Sequence, residues 1–488
     1  MSRSILSASL VLPVWQRGPF RIEGPDEDAF TLGLNSLHRL SHQVQPEGAR
    51  ALRRLHLVGT FPPEVDWAYG EALGIPELVV RRHPPNAPGL WGALAAAAHD
   101  EGSTGREAVV AADLAAFTNE AFGAPGLRHG AGAAAFLFGM DPGLAVLQHG
   151  FRGHAPGRPL TRQGTVTSWL EALGLPSGGG TGEAILVVDE DLARWQAAWE
   201  EAAPGISVTS IGAPPDLLGP APSVGPAGLL WELGRRLRTG KVGIIGESMR
   251  GRSGFAGFRL DGPVRWVGAW GTSAPGLDSP SETFLERTDS LNAVSQGAYV
   301  PHPRYLENLA SRWRLVAERC THCRALTFPA TGRCRTCGRS DGLRAEALPR
   351  NGLEVEAVTT IGPGAQPTEF DSIVQSAGPY DVALVAVGSE ARATVQVTDT
   401  LPGRLHVGDR VGLVLRRLYP MEGEWRYGLK AIPERGKSRV WEAEKAEKGV
   451  SSARRPRRPR ASSEAPTARP TNPRGPDARG KSRPRRAR

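Results

Sequence analysis

Cys320-Thr-His-Cys323 and Cys334-Arg-Thr-Cys337 contain all four cysteines of the chain, as two Cys-x2-Cys pairs with ten residues between them. Each pair is expected to form a knuckle that aims two thiolates at one point. Two knuckles then close a tetrahedral four-sulfur site with no position left for water, the donor set of structural zinc. Iron in a rubredoxin-like site uses the same ligands, but nothing nearby suggests electron transfer, so zinc is the expectation. The alternative is two disulfides or four free thiols. No signal peptide or spanning segment is legible, which points to a reducing cytoplasm, where disulfides are rare. Arg319, Arg324, Arg333 and Arg335 flank the cysteines, and their charge is expected to favour the thiolates. A closed site of this kind holds a fold and performs no chemistry.

Downstream of the cysteines the chain reads as short β-branched strands with turn residues between them: "GLEVEAVTTIG", "PYDVALVAVGSEARATVQVTD", "LHVGDRVGLVLRR" and "WRYGLKAI". That order predicts a small five-stranded barrel of the oligonucleotide/oligosaccharide-binding (OB) type. Upstream, strands alternate with helices, which argues for a layered α/β domain. "SILSASLVLPVW", "RRLHLVGT", "ELVVRR", "EAVVAAD" and "GAGAAAFLFG" read as its strands. "GPDEDAFTLGLNSLHRL", "WAYGEALG" and "LWGALAAAAHD" read as its helices. Asp26, Glu27 and Asp28 stand where carboxylates suit a helix N-terminus, and Phe30, Leu34 and Leu37 form the expected buried stripe. A strand-helix pattern returns in "EAILVVDED", "LARWQAAWEEA", "PAGLLWELGRRLRTG", "KVGIIGES" and "GFAGFRLDG", a suggestive repeat of the first half.

The 488 residues carry 59 Lys+Arg against 50 Asp+Glu, a net charge of +9. From Ser451 to Arg488 there are 13 Lys+Arg and 2 Asp+Glu, which leaves 46 and 48 elsewhere. The basic character therefore belongs to an Arg/Pro-rich tail too poor in large apolar residues to fold. Such a tail can contact acidic partners or nucleic acid by salt-sensitive attraction. The expected organisation is a layered domain over 1–262, a linker over 263–302, a lead helix and zinc ribbon over 303–345, an OB barrel over 346–433 and a disordered tail over 434–488. Trp266 and Trp270 are expected to dock the start of the linker.

Two family resemblances sharpen this. "PDEDAFTLG" (Pro25–Gly33), "VGT" with "EALG", and "HGAGAAAFLFG" (His129–Gly139) resemble the thiolase superfamily, closest to hydroxymethylglutaryl-CoA synthases of archaeal and bacterial type. The resemblance implies five layers, α-β-α-β-α, made of two similar halves, and a homodimer formed through this thiolase-like domain. It also implies a glutamate after the "VGT" segment, an acyl-carrying cysteine at the head of the "LWGALAAAA" helix and a histidine after "AILVV". This chain has Phe61, Ala87 or Pro88, and Asp189 at those places, and no cysteine precedes Cys320. Thioester exchange needs an activated nucleophile and enolate formation needs a base within hydrogen-bond reach. The first domain is thus expected to be non-catalytic, unless His83, His99, His129, Tyr69, Asp189 or Glu190 form a relocated site.

The segment 303–432 resembles the zinc-ribbon plus OB-fold family of acyl-CoA-associated proteins, with Gly408 and Asp409 in the family's turn. Arg324 stands where a glycine commonly follows the second cysteine, which should strain that turn. The resemblance implies acyl-CoA as ligand, with Arg392, Arg404 and Arg410 as candidates for its phosphates, and an acyl-CoA enzyme as partner. The expectation is a protein that scaffolds or supports a condensing or cleaving enzyme. The alternatives are an active acyltransferase or retro-aldol lyase with relocated groups, and an OB-fold nucleic-acid binder using the basic tail, with Tyr380, Trp425 and Tyr427 as candidate aromatics on the barrel.

Overall fold

In the computed structural model the described residues are 3–17, 20–40, 52–62, 65–85, 87–99, 105–114, 116–118, 126–140, 144–153, 167, 171, 182–188, 192–202, 204–211, 226–228, 230, 242–249, 254–261, 277–278, 301–421 and 424–434. The first half contributes strands β1 (Ser4–Val11), β2 (Trp15–Arg17), β3 (Phe20–Arg21), β4 (Leu52–Gly59), β5 (Val79–His83), β6 (Arg106–Asp113), β7 (Ala116–Thr118), β8 (Gly126–His129) and β9 (Gly132–Gly139). Its helices are α1 (Ala29–Arg39), α2 (Val65–Leu73) and α3 (Ala87–His99). The second half contributes β10 (Leu144–Gly153), β11 (Gly182–Val188), helix α4 (Leu192–Ala202), β12 (Ile206–Ile211), β13 (Val242–Met249) and β14 (Gly254–Asp261). Strands β10 and β12 were not expected from the sequence.

The strand order of the large sheet is β12-β11-β13-β14-β10-β1-β9-β6-β4-β5. In the first half β5 and β6 run parallel to β4, β9 is antiparallel to β6, and β1 is antiparallel to β9. In the second half β12 and β13 run parallel to β11, β14 is antiparallel to β13, and β10 is antiparallel to β14. Position by position this is one five-stranded plan used twice, and the halves meet at Ser4↔Ala145 and Ile5↔Leu144. The repeat suggested by the sequence is therefore a duplication of topology.

β6 and β9 are buried at every position, because helices cover both faces of the sheet. Leu55, Leu57, Val110 and Leu137 pack under α1 and α2 on one face. Val58, Val109, Phe136 and Phe138 pack on the other with Leu90, Trp91 and Ala97 of α3 and with Ala227 and Leu230 from the second half. Segments of both halves thus lie together on this face of the sheet.

The rest of the described chain carries β15 (Leu277–Asp278), α5 (His302–Glu307), α6 (Leu309–Arg314), β16 (Val316–Cys320), β17 (Leu326–Thr327), β18 (Leu343–Ala347), β19 (Leu353–Ile361), α7 (Asp371–Ala377), β20 (Tyr380–Val387), β21 (Ala391–Gln396), β22 (Arg410–Met421) and β23 (Glu424–Pro433). β16, β17 and β18 form the ribbon sheet. The last five strands run in the order β21-β20-β19-β22-β23, and a parallel bridge from Val397 to Ala431 brings the two edges of this curled sheet, here called the barrel, toward each other. The stretch expected to be a bare linker contains β15, which pairs with Trp15 and Gln16 of β2. Trp266, Trp270 and the tail lie outside the described residues.

The sequence predicts a one-sided buried stripe on α1, yet every residue from Ala29 to Leu37 is buried. The barrel covers the face that would otherwise meet water. Phe30 packs edge-on against both Tyr69 of α2 and Tyr427 of β23, so one core runs through both domains.

Candidate functional site

The four cysteine sulfurs lie within 4.8 Å of one another. Cys320 Sγ is 3.7 Å from Cys337 Sγ, and Cys323 Sγ is 3.5 Å from Cys334 Sγ. A tetrahedral zinc with Zn–S of about 2.3 Å needs S···S edges of about 3.8 Å, so the donor set fits the ion. The two knuckles have the same backbone wiring. Arg324 N–H donates to Cys320 O as Gly338 N–H does to Cys334 O, and Cys320 N–H donates to Ala325 O as Cys334 N–H does to Arg339 O. Both turns need a left-handed residue, and these are Arg324 at φ 63° and Gly338 at φ 72°. The strain expected at Arg324 is present. The backbone N–H of Cys337 donates to Cys334 Sγ and holds that thiol down at about 6, and the N–H of Cys323 lowers Cys320 in the same way.

The flanking arginines have other work. Arg319 grips Glu346 through two 2.8 Å hydrogen bonds and pairs with Glu390 at 2.8 Å, while Arg333 Nε donates to Gly338 O. Cys320 and Cys334 are therefore biased toward thiolate by knuckle amides, while the neighbouring cysteine sulfurs and burial push Cys323 up.

A second constellation lies where the barrel meets the layered domain. Lys430 Nζ is 2.9 Å from Asp26 Oδ2, with both side chains 4% exposed. Arg416 is 2.9 Å from both Glu27 Oε1 and Asp399 Oδ2. Asp28 caps α1 by accepting from Thr31 N–H, and its other oxygen accepts from Tyr427 Oη at 2.8 Å. Arg417 donates to Pro25 O and stands over the Trp425 ring at 4.5 Å. Trp313 of α6 stacks on Trp67 of α2 at 5.8 Å. The "PDEDAF" segment thus starts a helix and also receives the barrel. Burial, with Asp399 and Asp26 beside it, pushes the Glu27 carboxyl up to about 8 against the pull of Arg416. Asp26 is lowered, because Lys430 and Arg416 together outweigh its burial.

The positions inherited from the family are placed as follows. Phe61 follows β4, nearly buried against Tyr69. Ala87 and Pro88 open α3. Asp189 and Glu190 lie outside the described residues. Tyr69 is fully buried beneath α1, with its phenol pushed upward by burial, so it is a core residue. His99 closes α3, and His129 ends β8. Of the phosphate contacts expected on the barrel, Arg392 pairs with Glu356 and Arg410 with Glu354. Tyr427, an expected nucleic-acid contact, is inside the domain seam.

His83 is brought together with two residues the sequence reading did not single out. His56 Nδ1 is 2.9 Å from His83 Nε2, and His56 Nε2 is 3.0 Å from Glu107 Oε2. Glu107 Oε1 also accepts from Arg54 at 2.9 Å and Arg3 at 3.1 Å. His56 and Glu107 are fully buried. The signal for both was visible in principle, as a lone histidine in the apolar run of β4 and a lone glutamate at the head of β6.

The family model for the ChsH2 rubredoxin-like zinc ribbon domain matches residues 309–344. A DUF35 domain-containing scaffold protein of Methanothermobacter thermautotrophicus is 29% identical over 134 residues, 27% of this chain and 95% of the relative. Its counterpart in Methanocaldococcus jannaschii is 26% identical over 132 residues, 27% of this chain and 89% of that protein. Among solved structures, PksG, a HMG-CoA synthase from Bacillus subtilis, aligns over 54% of this chain and 80% of its own at 14% identity and a TM-score of 0.39. The Ltp2-ChsH2(DUF35) aldolase aligns over 28% of this chain and 98% of its own at 22% identity and a TM-score of 0.22. The four-cysteine ribbon and the strands behind it are thus similar to DUF35 domain-containing proteins and to the ChsH2 zinc ribbon, while the part in front has the layered, duplicated α/β plan described above.

Proposed function

We propose that this protein binds acyl-CoA and supports an enzyme that condenses or cleaves acyl-CoA, without acyl-cysteine chemistry of its own. The observation that carries the reading is the buried seam. The part of the chain similar to DUF35 scaffold proteins is held by Lys430–Asp26 and Arg416–Glu27 to a layered domain with no cysteine at the head of α3. A scaffold module built into a thiolase-like body suits presentation of a substrate to a partner enzyme. In this reading zinc holds the ribbon, the barrel takes the OB role of shielding the CoA arm, and the partner supplies the nucleophile. Among the described residues no helix is long and apolar enough to cross a membrane.

The test is a calorimetric titration of the zinc-loaded full chain with acetyl-CoA and acetoacetyl-CoA, followed by analysis of the cell contents. Binding with CoA unreleased is the expected result. Release of CoA with a new acyl product would replace this reading with that of an acyltransferase, and absence of binding would remove acyl-CoA as the ligand.

A further inference from the structure

The carboxyl ends of α1, α2 and α6 come together where the layered domain meets the ribbon. A Cβ built on Gly74, just past α2, would stand 2.6 Å from Arg314 Nη1, so the guanidinium that closes α6 lies against the end of α2. Arg350 donates from Nη2 to Trp313 O, the carbonyl next to Arg314. Its own backbone oxygen accepts from Leu413 N–H at 2.8 Å, which pins the loop between β18 and β19 to the barrel. His38, in the last turn of α1, completes the notch, close enough for the Arg350 charge to act on its ring.

Other arginines of the ribbon and barrel hold a carboxylate: Arg319 has Glu346, Arg392 has Glu356 and Arg416 has Glu27. Among the described residues no carboxylate pairs with Arg314 or Arg350. Arg314 Nε is closed to water and has no hydrogen-bond partner among them. A desolvated guanidinium without a counterion is costly, and so is a buried donor left unused. The helix ends lend partial negative charge to the notch, but they do not offset the two arginines. Burial and the Arg314 charge push Arg350 from an ordinary 12.5 down to about 10, and burial with the Arg350 charge pushes His38 down to about 3. Arg314, Arg350 and His38 are each only half-buried, so a small ion can reach them from solvent.

We infer that the notch between Arg314 and Arg350 binds a tetrahedral oxyanion of the phosphate class. Two planar guanidinium forks with unengaged N–H groups suit contact with several oxygens of one ion, which a spherical anion does not offer. The negative charge compensates both arginines at once. Because Arg314 and Arg350 belong to the ribbon and barrel, while His38 and Gly74 belong to the layered domain, a bound ion also strengthens the union of the two. The ligand is either free phosphate or the phosphoryl group of a phosphomonoester. The inference stands apart from the acyl-CoA reading, since it concerns other residues and its probe is the ion itself.

The experiment titrates the zinc-loaded full chain by calorimetry with inorganic phosphate and, separately, with glycerol 3-phosphate, in chloride buffer at neutral pH and fixed ionic strength. Saturable binding is expected, with a rise in the urea midpoint that an equal ionic strength of chloride does not give. Tighter binding of phosphate identifies the free ion as the ligand, and tighter binding of the ester identifies a phosphomonoester. Arg314→Gln and Arg350→Gln should each weaken binding by about 10-fold or more. Arg304→Gln, which removes an exposed arginine paired with Glu307, should leave it unchanged. Arg314→Gln decides the matter should Arg350→Gln fail to fold, because the Arg314 side chain gives up no hydrogen bond or ion pair to a described residue. Without phosphate it should be at least as stable as the wild type, and with phosphate it should lack the rise in midpoint. Absence of saturable binding by both anions, binding that survives Arg314→Gln, or an equal rise in midpoint in wild type and variant would each overturn the inference.

Discussion

Lys430 of the barrel and Asp26 of the layered domain form a 2.9 Å ion pair almost completely closed to water. Removing one member leaves the other charge buried without its counterion, which costs about 3–5 kcal/mol. Lys430→Met is therefore expected to lower the urea midpoint of the intact chain sharply. The double variant Asp26→Asn with Lys430→Met should recover most of the loss, because neither unpaired charge remains. If the single variant proves as stable as the wild type, the seam does not hold the domains together in solution.

The neighbouring Glu27 gives the seam a pH dependence. Its carboxyl rises from an ordinary 4.5 to about 8 in the folded state, so folding takes up a proton between those values. Stability from this group is complete below about 4.5 and is lost as pH climbs toward 8. Asp26 acts in the other direction, because its lowered carboxyl contributes above its ordinary 3.8 and loses that contribution on acidification. The urea midpoint should fall from pH 5 to pH 8, and Glu27→Gln should flatten the slope. An equal slope in wild type and variant would assign the effect to other groups.

The same segment shows how far sequence alone reaches. The acidic run before Phe30 was legible as a helix start, and Asp28 is the N-cap with its reciprocal Thr31 bond. Asp26 and Glu27 were legible only as dipole partners, because their true counterions lie roughly 390 residues further along and reach them only through the fold. The periodicity of β4, β6 and β9 was strong because strands buried on both faces read as continuous apolar runs. β10, "LAVLQHGFRG", was lost because Gln148, His149 and Arg152 interrupt its apolar run. The cysteine site was the easiest part to read, since spacing in the chain fixes spacing in space within a knuckle. The Glu107–His56–His83 chain was not, since it crosses three strands that only the parallel register sets side by side.

Metal content follows from the sulfur geometry. The purified chain should carry one zinc, released in parallel with four titratable thiols when a mercurial displaces it. Removal by a strong chelator should unfold the ribbon, because a structural zinc site contributes folding free energy directly. Protease sensitivity between Cys320 and Cys337 is the readout, with loss of protection on chelation and its return on adding zinc. A chain that resists proteolysis equally with and without metal would argue against a structural role for the ion.

Arg324 and Gly338 occupy matching places in the two knuckles, both with positive φ. An L-residue with a side chain pays about 1 kcal/mol or more to sit there, and glycine does not. The Arg324 side chain is exposed, so its removal gives up little packing. Arg324→Gly should raise the melting midpoint of the zinc-loaded protein by an amount corresponding to about 1 kcal/mol, less the extra chain entropy glycine brings to the unfolded state. It should also slow zinc loss to a competing chelator, since the relaxed turn holds Cys320 and Cys323 in place without opposing strain. Gly338→Arg tests the same relation from the other side and should lower both quantities. If Arg324→Gly leaves the midpoint unchanged or lower, the left-handed turn at Arg324 is relieved by an interaction of the arginine itself, and the two knuckles are not energetically equivalent.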